Sequence, residues 1–172
     1  MRLHTIGHGI RPLAELVETL RSARIETLVD VRRFPGSRRN PQFNRAPLAG
    51  ALGEAGISYR HVVELGGRRS GEAGEERFGC LRVEAFRSYA ARMGTPGWQA
   101  SLAAAIAEPT PCFMCAETPW WRCHRRLIAE LLAARGHEIV HLIGPEERQP
   151  HRFYDEARVL EGSLYLCGEL VA

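Results

Sequence analysis

The chain has 172 residues, 45% of them apolar and 25% charged. This is the composition of one globular domain with its own core, and it excludes a disordered or low-complexity chain. All 23 basic residues are Arg and the net charge is only +3, which excludes a lysine Schiff base, a lysine general base and a P-loop lysine.

Leu3–Ile6 reads as a first strand. It is preceded by no apolar leader, and no run reaches the roughly 18 apolar residues of a membrane span, so a cytoplasmic protein is expected. Pro12–Arg24 reads as a helix, with Leu13, Leu16, Val17 and Leu20 on one face. Thr27–Val31 is a second strand, followed by a polar loop rich in Arg and Pro over 32–45. A short helix over Leu48–Glu54 closes at Gly56, and Ile57–Val63 is a third strand. A Gly/Arg/Glu loop spans 66–79, and helices cover Val83–Met93 and Gly97–Ala107. Pro111–Cys115 is a fourth strand, Trp121–Ala134 a helix stopped by Gly136, and Glu138–Ile143 a fifth strand. The tail after Pro145 is expected to be peripheral, with weak helical character over Tyr154–Leu160.

Strands that alternate with helices predict an α/β fold: a single domain over 1–172, with a mostly parallel sheet of about five strands and helices on both faces. Such sheets bind ligands beyond the carboxyl ends of their strands. The unusual polar residues fall there. His8 follows strand one between two glycines. Asp30 and Arg32 leave strand two and lead to Ser37 and Arg38. Tyr59 and His61 lie on strand three, ahead of Gly66, Gly67 and Arg68. Cys115 and Glu117 end strand four, ahead of Cys123, His124 and Arg125. One shared pocket is therefore expected.

The five cysteines, Cys80, Cys112, Cys115, Cys123 and Cys167, are odd in number and unevenly spaced, so reduced thiols are expected. Cys115 or Cys123, beside His124 and several Arg, suits a nucleophile of depressed pKa. Asp30, Glu117, His8 and His124 suit proton transfer. Arg32, Arg38 and Arg125, with the Gly66–Gly67–Arg68 turn, suit phosphate, and Ser37 and Tyr59 complete the binding set. Trp120 and Trp121 suit stacking on a base or packing at a helix start.

Together these segments resemble the DUF488 family: Thr5-Ile6-Gly7-His8, Asp30-Val31-Arg32 with Pro35, Ser37 and Arg38, Tyr59 and His61 with Leu65-Gly66-Gly67, Met114-Cys115-Ala116-Glu117, Pro119 and Cys123-His124-Arg125. The resemblance runs from the first strand to about His141. It implies a compact α/β domain and carries no activity, because the family is a domain of unknown function. The family reads Gly-His-Ser where this chain has Gly7-His8-Gly9, so no hydroxyl stands at that position.

Three functions compete. The first is an enzyme acting on a phosphate-bearing substrate, a nucleotide or nucleic acid, with no cofactor required. The second is a zinc or iron site built from Cys115, Cys123 and His124, although adjacent Cys123 and His124 would sit awkwardly on one ion if both lay in a regular helix. The third is a non-catalytic module that binds nucleic acid or protein; a pI near 8.8 falls just short of the value above about 9 usual for nucleic-acid domains.

Overall fold

The computed structural model describes residues 1–68 and 70–172; Arg69, within the loop expected over 66–79, lies outside the described residues. In chain order the elements are β1 (Arg2–Gly7), α1 (Leu13–Ser22), β2 (Thr27–Asp30), α2 (Arg45–Glu54), β3 (Ser58–His61), α3 (Glu84–Met93), α4 (Pro96–Ile106), β4 (Pro111–Cys115), α5 (Arg125–Ala134) and β5 (Glu138–Leu142). The tail adds β6 (Arg148–Pro150), β7 (Ala157–Leu160), β8 (Ser163–Leu166) and β9 (Glu169–Leu170).

The main sheet has the order β3-β2-β4-β1-β5-β6. Its first five strands are parallel, and β6 runs antiparallel on the β5 edge. β2 and β4 are buried along their whole length, as strands covered on both faces must be.

Side-chain alternation splits the interior into two layers. Ile6, Leu28, Cys112 and Met114 meet Leu16 and Leu20 of α1 and Leu48 and Leu52 of α2. Leu3, Val29, Phe113 and Cys115 meet α3, α4 and α5 on the opposite face. The chain leaves β1 toward the α1 face and leaves β4 toward the α5 face. β1 and β4 are neighbours, so their carboxyl ends form a switch point, where the two following loops stay hydrogen-bonded to each other: His8 N–H donates to the Cys115 carbonyl at 3.0 Å and Gly9 N–H to the Ala116 carbonyl at 2.8 Å. Gly7–Gly9 and Cys115–Cys123 are those two loops.

Three expectations are corrected. The tail is not helical at Tyr154–Leu160: β7, β8 and β9 form a small antiparallel sheet, and Leu164, Leu166 and Val171 join the core around α5. Each hairpin turns on two residues of positive φ, Glu161-Gly162 and Cys167-Gly168, the geometry that matches strand twist. The helix expected from Trp121 begins only at Arg125; a 3-10 turn spans Trp120–Arg122, and Cys123 is extended at φ −124° and ψ 148°. Finally, not all cysteines are reduced. Cys80 and Cys167 form a disulfide across a sequence separation of 87, tying the segment before α3 to the β8–β9 turn. Cys112, Cys115 and Cys123 are free and buried.

Candidate functional site: a Cys-Cys-His cluster at the sheet edge

The expected pocket resolves into two groups flanking the carboxyl edge. On the α1 side, the Asp30 carboxylate is 0% exposed and must be paired. Its Oδ1 accepts from the Arg32 backbone N–H at 3.0 Å and Nε at 2.9 Å; its Oδ2 accepts from Arg32 Nη2 at 2.6 Å and the Tyr59 hydroxyl at 2.7 Å. The remaining Arg32 nitrogen, Nη1, donates to His8 Nε2 at 3.3 Å. His8 therefore carries its proton on Nδ1 and donates it to the Gly9 carbonyl at 2.8 Å. Burial pushes the His8 pKa down, and its ring stacks on Phe43. His61 donates to the Arg32 carbonyl at 2.8 Å. This group is a brace in which each of the three Arg32 guanidinium nitrogens makes a hydrogen bond.

On the α5 side, Cys115, Cys123 and His124 are brought together, with their ligand atoms all within 4.8 Å of one another. His124 Nε2 donates to the Val31 carbonyl at 3.0 Å. The other ring nitrogen, Nδ1, then faces both sulfurs, 3.5 Å from Cys123 Sγ and 3.7 Å from Cys115 Sγ. The extended backbone at Cys123 removes the helical awkwardness expected of adjacent ligands. The thiol of Cys123 donating to Cys115, with His124 and Arg125 beside it, holds Cys115 well below the usual thiol range. Burial and the Cys115 charge push Cys123 up.

The neighbours of the cluster are placed with little freedom. Arg125 is fully buried and donates to the Ile6 carbonyl at 2.9 Å and the Thr118 carbonyl at 2.8 Å, clamping the β4 loop to β1. Gly7 sits against this clamp, and a Cβ there would strike the Glu117 carbonyl. A Cβ at Gly67 would lie 2.5 Å from His124 Nδ1. Gly9 has φ +56°, and a Cβ there would meet the Thr118 hydroxyl. That geometry suits glycine at the position where the family has serine.

Other expected residues stay outside the cluster. Glu117, Arg38 and Arg68 are exposed. Ser37 braces its own loop, donating N–H to Asn44 at 2.6 Å and accepting from the Asn40 N–H at 3.1 Å. Gly66 packs on the Arg33 backbone.

A further buried polar chain was not anticipated. The Thr5 hydroxyl meets His141 Nδ1 at 2.7 Å, His141 Nε2 meets His151 Nδ1 at 3.1 Å, and His151 Nε2 lies 3.5 Å from Glu130. Trp120 stacks on His141 at 4.1 Å and 7°. One signal in the sequence marked it: Glu130 is the lone carboxylate in the apolar run 127–134 of α5.

These features define a doubly wound α/β domain with a cysteine–histidine centre at its switch point. The chain belongs to the DUF488 family: the model of the domain of unknown function DUF488 matches residues 12–132. The match starts after Thr5–His8, so that segment lies outside it. No curated protein and no solved structure matches the chain.

Proposed function

We propose that this protein is a metal-dependent enzyme, with zinc or iron held by Cys115, Cys123 and His124, that acts on a phosphate-bearing ligand. One observation carries the reading. His124 is fixed through Nε2 on a backbone carbonyl, so its Nδ1 lone pair is aimed at two cysteine sulfurs. Metal-binding histidines are typically oriented in this way by their second nitrogen. Zinc with Zn–S near ~2.3 Å and Zn–N near ~2.0 Å sets its tetrahedral sulfur and nitrogen ligands about 3.5 Å apart. The two distances here are 3.5 and 3.7 Å.

Three protein ligands leave one position for water or substrate, the pattern of catalytic rather than structural zinc. Bound there, the ion would supply Lewis acidity and an activated water. A Cys115 already disposed to lose its proton lowers the cost of binding, since metal ligands must be deprotonated. Exposed Arg38 and Arg68, which form no ion pair among the described residues, support an anionic ligand near this edge.

The same depressed Cys115 thiol favours a second reading, a thiolate nucleophile that works without a metal. Cobalt(II) titration separates the two. The metal reading predicts one equivalent bound, with tetrahedral d–d bands and a thiolate charge-transfer band. A featureless titration with rapid selective alkylation of Cys115 would replace it with the nucleophile.

A further inference from the structure

Against the β5–β6 edge of the sheet lies a cleft of about 460 Å³, lined by Trp120, Trp121, Gln149, Pro150 and Arg152. We propose that this cleft binds a nucleotide unit, with the base on Trp121 and the phosphate on the Arg152 guanidinium. The proposal deepens the reading of a phosphate-bearing ligand and rests on it, but uses none of the metal-site residues.

The wall of the cleft is rigid. Trp120 is buried, stacked on His141 and hydrogen-bonded through Nε1 to Gln149 Oε1 at 3.2 Å. His141 is fixed in turn by Thr5 and His151. The guanidinium of Arg126 lies 5.6 Å from the Trp120 ring centroid. Trp120 is therefore committed to the fold. Trp121 is different. It meets Trp120 edge-on at 88° and remains 47% exposed. An indole half-exposed at the mouth of a concavity offers a flat face on which a planar ring can stack.

The rim indicates the chemistry of such a ligand. Arg152, which lines the cleft, is exposed and forms no ion pair among the described residues. Glu147, the carboxylate that reaches this rim, accepts from Gln149 Nε2 at 3.2 Å. A planar ring with an attached anion satisfies both the indole and the free Arg152 guanidinium. Bases stack on aromatic side chains whatever their sequence, and phosphates pair with Arg forks. The Trp120–Arg122 turn that carries the exposed indole runs directly into Cys123.

The test titrates the full chain with AMP, ribose 5-phosphate and a six-nucleotide single strand, reading tryptophan fluorescence and calorimetric affinity. AMP is expected to quench fluorescence and bind at least tenfold tighter than ribose 5-phosphate. Trp121→Ala should weaken AMP by about 5- to 150-fold, Trp121→Phe should retain most of the affinity, and both should keep the wild-type metal content. Tighter binding of the strand, falling linearly on a log–log salt plot, assigns a nucleic-acid ligand. Equal affinity assigns a free nucleotide; either upholds the cleft. Equal binding of AMP and ribose 5-phosphate, no quenching by AMP, or unchanged AMP affinity in Trp121→Ala would overturn the proposal and leave the metal centre untouched.

Discussion

His124 donates through Nε2 to the Val31 carbonyl at 3.0 Å, and this one bond ties the entry to α5 to the end of β2. It also decides what the cysteines meet: a ring nitrogen with a free lone pair, held still. Gly67 controls the same ring from the other side. Gly67→Ala would place a methyl 2.5 Å from Nδ1, so the ring must move. The expected outcome is a folded protein whose metal affinity falls about 10- to 100-fold, measured by competition with a chromophoric chelator. Unchanged affinity would show that the ring position is not critical.

Asp30 and Arg32 predict a stability defect rather than a binding defect. Breaking a buried, multiply hydrogen-bonded ion pair costs about 3–5 kcal/mol. Arg32→Met should lose about that much in urea unfolding, because it leaves the Asp30 carboxylate uncompensated at 0% exposure. Loss of phosphate affinity without loss of stability would instead make Arg32 a ligand-binding residue.

The buried histidines make stability depend on pH. Burial, then the neighbouring charges of His151, Arg125 and Arg126, pushes His141 down to about 2. The folded state therefore keeps His141 neutral where the unfolded chain takes up a proton. This stability is present above the unfolded value near 6.5 and is lost as pH falls from there toward 2, by at most about 1.4 kcal/mol per pH unit for one proton. His141→Gln should flatten the slope of unfolding free energy between pH 6 and 4 by up to that amount. An unchanged slope would place the proton uptake elsewhere.

The disulfide between Cys80 and Cys167 closes a long loop and pins the small tail sheet. Cys80→Ser should lower stability by about 2–5 kcal/mol, read as a fall in Tm that reductant reproduces in the wild type. It should not change metal content, since neither cysteine belongs to the cluster.

Much of this architecture was legible in the sequence. The first five strands read as short apolar runs, α1 and α5 as amphipathic stretches, and glycines end α2 and α5 as expected, with Gly56 and Gly136 at φ +75° and +84°. The tail was not legible. Its hairpins turn on Glu161-Gly162 and Cys167-Gly168, whose first residues lack the Asn or Asp that announces such turns. Its strands are two to four residues long, too short to show a period. The disulfide was hidden for the same reason: only the hairpin brings Cys167 to Cys80.

The sequence shows which candidate residues follow the strands but not how they are arranged. Alternation along β2 and β4 sends Asp30 to one face of the sheet and Cys115 to the other, so residues that line up along one sheet edge part into an ion-paired brace and a cysteine–histidine cluster. Motif spacing does not show which arms of Arg32 are already spent. Nor does it show that Cys123 leaves the helix and can share an ion with its neighbour.

Metal content of the purified protein decides whether the cysteine–histidine cluster is a metal centre, with Cys115→Ser, Cys123→Ser and Cys112→Ser measured beside the wild type. Close to one zinc or iron per chain is expected in the wild type, retained by Cys112→Ser and lost from the other two. A wild type that carries no metal and binds none when zinc is supplied, or a bound metal that survives both Cys115→Ser and Cys123→Ser, would contradict a metal centre there.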